Sequence, residues 1–242
     1  MNPFDYFFFV MFPYLVAGIF FVGTLYRYRN KGFTVTSLSA QFLENRQGFW
    51  GTVPFHWGIL MVFLGHLVAF LFPSSVLAWN ADPVRLIVHE GLGFTFAVAV
   101  LVGLCALITR RLTNDRVRTV TSKMDLFVEF VLLGQVILGC WIALGYRWGS
   151  SWFASDLSPY LWSILMFSPK PEAVYAMPLV IKAHIVGAFS IFLIFPFTRL
   201  VHLLVAPLHY LFRPYQVVIW NWNRKLIRSP MTAWSKERPR NN

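Results

Sequence analysis

The sequence predicts an all-α integral membrane protein, a bundle of five transmembrane helices with the N-terminus outside and the C-terminus cytoplasmic. Three observations carry this. Of 242 residues, 57% are apolar and only 13% are charged. The apolar residues fall in runs of about 20, the length that crosses the hydrocarbon core as helix. The basic residues, which give a formal charge of +11, gather at the ends of alternate runs, as the positive-inside rule requires. In a soluble chain that charge would suggest nucleic acid; here it orients the protein, and no nucleic-acid partner is expected.

The first helix covers about residues 4–26. It is read as retained, not as a signal peptide, because Asp5 precedes the apolar run while Arg27, Arg29 and Lys31 follow it. Pro13 is tolerable there if neighbouring helices satisfy the freed backbone groups. Residues 27–52 set four basic residues against Glu44 and are placed inside. The second helix, about 53–72, returns outward and stops at Pro73 and Ser74, before a short outer loop with Asp82, Pro83 and Arg85. The third, about 86–109, stops at Arg110 and Arg111, and Arg116, Arg118 and Lys123 complete the densest basic patch. The fourth, about 124–146, leads to an outer segment, 147–177, whose Trp148, Trp152, Tyr160, Trp162 and Tyr175 suit the membrane interface. The fifth, about 179–204, ends inside. Residues 1–216 thus form one membrane domain. Residues 217–242 are a basic cytoplasmic tail, partly disordered, whose Trp220 and Trp222 would meet a cytoplasmic partner or lipid headgroups. Cys105 and Cys140 lie in apolar runs and read as small buried hydrophobes, not as disulfide or thiolate ligands.

A histidine inside a membrane helix is expensive, so four of them in two helices ask for a function. His184 and His202 are 18 residues apart, five whole turns, which places both imidazoles on one face roughly 27 Å apart along a straight helix. His56 and His66 in the second helix are ten residues apart, roughly 15 Å. The two helices run in opposite directions, so His56 pairs with His202 near the inner surface and His66 with His184 nearer the outer. Two bis-histidine haems follow from this pairing. The spacings do not match on straight parallel cylinders; tilt and a kink near Pro196 are expected to absorb about 6 Å at each end. Structural zinc would need the four rings together. A transporter or a plain anchor would use them as packing groups, although no broken helix or inverted repeat is visible. Gly58, Gly65 and Gly187, each within three residues of a histidine, admit either a close porphyrin face or close helix packing. Arg110, Arg111 and Arg199 admit either charge-assisted bonds to haem propionates or an inner-surface anchoring role. Glu129 and Gln135, polar at membrane depth, read as helix-packing groups.

The stretches FPYLVAGIFFVGTLYRY, FHWGILMVFLGH, RRLTNDRVR and above all IFPFTRLVH resemble the cytochrome b, or gamma, subunit of membrane-bound respiratory nitrate reductases, over about residues 7–217. The resemblance implies two haem b groups between the second and fifth helices. His66 and His184 would ligate the outer, distal haem iron, and His56 and His202 the inner, proximal one. It further implies quinol oxidation near the outer haem and electron transfer to an iron–sulfur subunit and a molybdenum catalytic subunit on the cytoplasmic side. The chain alone would not act on the terminal substrate, and it would sit in a bacterial or archaeal cytoplasmic membrane among lipids. An electron crossing about 100 mV involves roughly 2.3 kcal/mol, a contribution to the proton-motive force. Many family members carry a quinol-site lysine where this chain has Arg85, which keeps the donors but cannot carry a proton. His89, one turn on and next to Glu90, would accept the quinol proton there, or else belong to an outer-loop pair. Cytochrome b subunits of nitrite-oxidising, sulfite-reducing or formate dehydrogenase complexes are the neighbouring alternatives, and IFPFTRLVH favours the nitrate reductase type.

Overall fold

The computed structural model describes residues 3–35, 43–44 and 46–205, and among these every regular element is helical. The expected tail, with Trp220 and Trp222, lies outside the described residues. Five long helices, α1 (Pro3–Asn30), α2 (Arg46–Leu71), α3 (Pro83–Thr113), α4 (Lys123–Gly145) and α5 (Leu179–Ile194), supply the five expected spans. Local chemistry sets their starts. Asp82 accepts from Val84 N and Arg85 N at 2.9 and 3.0 Å with Pro83 in the first turn, so α3 begins earlier than the apolar run does. Ser122 and Asp125 form a capping box that starts α4.

The closest packing joins α2 to α3. A Cβ on Gly103 would fall 2.5 Å from Phe55 N and 2.8 Å from Gly51 O, and one on Gly58 would fall 2.8 Å from Phe96 O. Glycine therefore lets these two backbones meet, and Gly58 serves helix packing, not a porphyrin face. Beyond this seam α3 packs on α4, α4 on α5, and α5 on α1. The two histidine helices, α2 and α5, are not a closely packed pair among the described residues. Cys105 is exposed on the apolar surface of α3, not buried as expected, and Cys140 is half-buried.

Two prolines explain how the outer segment is held. Pro13 has no N–H to give the Phe9 carbonyl, and the backbone there loosens into a π-helical stretch, Phe7–Met11. The Tyr160 hydroxyl donates to that carbonyl at 2.8 Å. Pro73 likewise frees the Ala69 carbonyl, which accepts from Ser158 Oγ at 2.9 Å, while Trp162 Nε1 donates to Phe70 O at 2.9 Å. The expected interfacial loop is thus a helical plug, with Ser158–Leu165 at its centre, that caps α1 and α2. Tyr160 is 1% exposed, a core residue and not an interface aromatic. Burial pushes its phenol above the usual range, so it remains a donor. Tyr160→Phe strands the Phe9 carbonyl and is expected to cost about 1–3 kcal/mol, read as a lower apparent Tm of the purified protein.

Helix five departs from expectation. It was expected to run to residue 204, but α5 stops at Ile194, makes one 3-10 turn at Phe195–Phe197, becomes extended at Thr198 (φ −117°, ψ 178°) and resumes as a 3-10 segment, Arg199–Val205. Pro196 lacks the N–H that would continue the ladder, and its ring crowds the preceding turn. The kink is a break. The five-turn phase relation between His184 and His202 therefore does not hold.

Candidate functional site

Three of the four candidate ligand histidines share one device. His56 Nδ1 lies 2.8 Å from Thr52 O, His66 Nδ1 lies 2.8 Å from Val62 O, and His202 Nδ1 lies 2.6 Å from Arg199 O. A backbone carbonyl that takes the Nδ1 proton leaves the Nε2 lone pair available to a metal and fixes the ring plane. His56 and His66 are exposed, each with one edge-to-face aromatic neighbour, Phe55 and Phe153, and Gly65 has open space where a Cβ would sit. Among the described residues no group of three or more His, Cys, Asp or Glu comes together. These residues fit haem.

His184 is held differently. Its ring lies against α4, where a Cβ on Gly139 would fall 3.2 Å from Cε1. Gln135 Nε2 donates to the His184 carbonyl at 3.0 Å and lies 3.4 Å from His184 Nε2. Among the described residues His184 Nδ1 and Gln135 Oε1, both buried, have no hydrogen-bond partner. Gly187 makes room for the Gln135 amide.

At the opposite end the arginines are engaged with carboxylates. Arg110, only 9% exposed, donates from Nε to Glu44 Oε2 at 2.7 Å. Arg111 meets Glu129 at 2.8 Å and Asp125 at 3.6 Å, and Arg199 Nε meets the other oxygen of Asp125 at 2.7 Å. Glu129 thus pairs an arginine and does more than fill space. Near the His66 end, Arg85 stacks over the Trp79 ring at 5.2 Å and lies 4.0 Å from Asp82. His89 Nδ1 is 3.1 Å from Oδ1 of buried Asn80, whose amide donates to Ser150 and Ser151. Glu90 accepts from Ser150 N at 2.8 Å, so it holds Ser150 at this end of the bundle. Phe153 of the plug meets the His66 ring edge-to-face at 5.3 Å.

Against known proteins, the nitrate reductase gamma subunit family matches residues 5–221. The chain belongs to the nitrate reductase gamma subunit family. It is 36% identical over 216 residues to the respiratory nitrate reductase 2 gamma chain of Escherichia coli, covering 88% of this chain and 95% of that one. It is 34% identical over 210 residues to the nitrate reductase gamma chain of Bacillus subtilis, with coverage of 85% and 93%. With five membrane-length helices and bacterial relatives, this gamma subunit is a multi-pass protein of the bacterial cytoplasmic membrane and an electron-transfer subunit of a nitrate reductase-type oxidoreductase.

Sequence reasoning missed several residues around the gamma subunit's site. Asp125 had a visible signal, the Ser122 to Asp125 capping-box spacing. Gln135 was read as packing, and only the fold brings it to His184. Arg27 was read as one of a surface cluster. In the structure it donates to Pro196 O at 2.8 Å and Thr198 O at 2.6 Å, on both sides of the break in helix five.

Proposed function

We propose that this gamma subunit is a dihaem cytochrome b that oxidises quinol near its outer face and passes electrons inward to an iron–sulfur subunit and a molybdenum catalytic subunit. The observation that carries the reading is the set of three carbonyl-anchored imidazoles, two on α2 and one on the 3-10 segment that follows α5, with α2 and α5 not closely packed on each other among the described residues. His66 and His184 hold the outer haem, and His56 and His202 the inner one. The haems supply one-electron transfer, and the chain supplies ligands, spacing and electrostatics.

The concentration of basic residues at the Arg27, Arg111 and Arg199 end supports placing that end in the cytoplasm, with both the N-terminus and the plug outside. Arg199, and with less freedom Arg110 and Arg111, would add propionates to ion pairs they already make. On the outer face Arg85 orients a quinol oxygen. His89, held by Asn80, takes the proton. The test is a reduced-minus-oxidised spectrum of the purified complex with haem counted per gamma chain, followed by addition of quinol to the oxidised form. Two b-type haems reduced by quinol support the proposal. A chain without haem overturns it.

A further inference from the structure

The break in helix five is built from another helix. On α1, Gly23 and Arg27 stand one turn apart. A Cβ on Gly23 would fall 3.0 and 3.1 Å from Cβ and Cγ of Pro196, so this glycine is the socket in which the proline ring sits. Arg27 then spans the break. Nη1 donates to the carbonyls of Pro196 and Thr198, while Nε and Nη2 donate to Thr34 Oγ1 at 3.1 Å and Thr34 O at 2.7 Å. A broken helix leaves carbonyls that must find donors, above all within a membrane. One guanidinium supplies them and ties the bend to the residues that follow α1.

The order continues to the ligand. Thr198 is 2% exposed, and its hydroxyl donates to Phe195 O while accepting from Leu200 N, so it starts the next 3-10 segment. Arg199 is pinned by Asp125, and the Arg199 carbonyl holds His202 Nδ1. We infer that Arg27 is a positioning residue for His202: by gripping both sides of the Pro196 break, it sets the direction in which that imidazole leaves the chain. The inference rests on the haem reading above and adds to it a residue on a helix that carries no ligand. A planar fork with five donors can serve four acceptors at once, whereas a lysine ammonium offers a single centre on a flexible stem.

The test uses the full chain in its complex, with Arg27→Gln, Arg27→Lys and Gly23→Leu. Haem per chain, midpoint potentials and low-spin EPR signals of the two haems are measured against wild type. Arg27→Gln is expected to lower occupancy of the inner haem by about tenfold, or to shift its potential and g-values where it remains, with the outer haem unchanged. Arg27→Lys is expected to show a weaker form of the same change. Gly23→Leu, acting sterically on Pro196, should reproduce it without touching the charge. If Arg27→Gln does not accumulate, Arg27→Lys and Gly23→Leu decide by the same readouts. Variants with two haems of unaltered potential and spectrum overturn the inference and leave the haem reading intact. A wild-type complex without haem overturns that reading instead. Equal loss at both haems also overturns the inference, because it marks general destabilisation.

Discussion

Alanine in place of His66 or His184 is expected to leave one b-type haem per chain instead of two and to abolish reduction by quinol. Alanine in place of His56 or His202 should also leave one haem, but with a different outcome. Quinol should still reduce the remaining absorbance, while electron delivery to the iron–sulfur partner falls at least tenfold. The asymmetry follows from the two ends of the bundle. His66 lies beside Phe153 of the plug, at the end that also holds Arg85 and His89, whereas His202 lies beside Arg199 and the arginine–carboxylate cluster. On the proposed ligation, loss of an axial imidazole would remove a bond to iron and, at His56, His66 and His202, a ring already fixed through Nδ1, and disturbing second-shell partners alone costs about 10–100-fold in metal affinity. Haem quantification and quinol-reduced spectra of the four variants check this. Two haems in any one of them would remove that histidine from the ligand set.

The five spans were legible because a membrane helix announces itself by length and composition, with no help from its neighbours. The four candidate histidines stood out for a related reason, since a polar ring in such a run is conspicuous. Their Nδ1 anchors at Thr52 and Val62 need only the carbonyl one turn back, which any helix provides. What could not be read depends on residues far apart in sequence. Pro13 and Pro73 signalled stranded carbonyls, but the donors that satisfy them, Tyr160 and Ser158, lie 151 and 89 residues from their acceptors. Pro196 was read as a kink within a continuous helix. The break becomes tenable because α1 offers Gly23 as a socket and Arg27 as a donor, and neither residue differs in sequence from a packing glycine or a positive-inside arginine. Gly58, Gly65 and Gly187 show the same limit. They look alike in sequence, yet one meets α3, one faces open space and one meets Gln135.

Asp125→Ala is expected to be among the most damaging substitutions outside the ligand set, because this carboxylate does three things at once. It caps α4 by accepting from Ser122 N at 2.9 Å, it holds Arg199 at 2.7 Å, and it meets Arg111 at 3.6 Å, with only 5% of its side chain exposed. Losing a cap costs about 0.5–2 kcal/mol, and the lost ion pairs add less than the roughly 3–5 kcal/mol of a fully buried pair, because the Arg199 and Arg111 side chains are 29% and 20% exposed. Glu129 continues to hold Arg111, whereas Arg199 loses its 2.7 Å pair with Asp125. The damage should therefore concentrate on the 3-10 segment that carries His202. Asp125→Asn keeps an oxygen for the cap but loses the charge, and its effect should be intermediate. The exposed pair Arg118–Asp115, with side chains 65% and 83% accessible, is the control: Asp115→Ala should leave stability unchanged, since solvent already screens that pair. Apparent Tm and retention of the inner haem, measured together on the three variants, separate these cases. An Asp125→Ala protein with wild-type Tm and both haems would mean that the cluster guides folding specificity without stabilising the inner end.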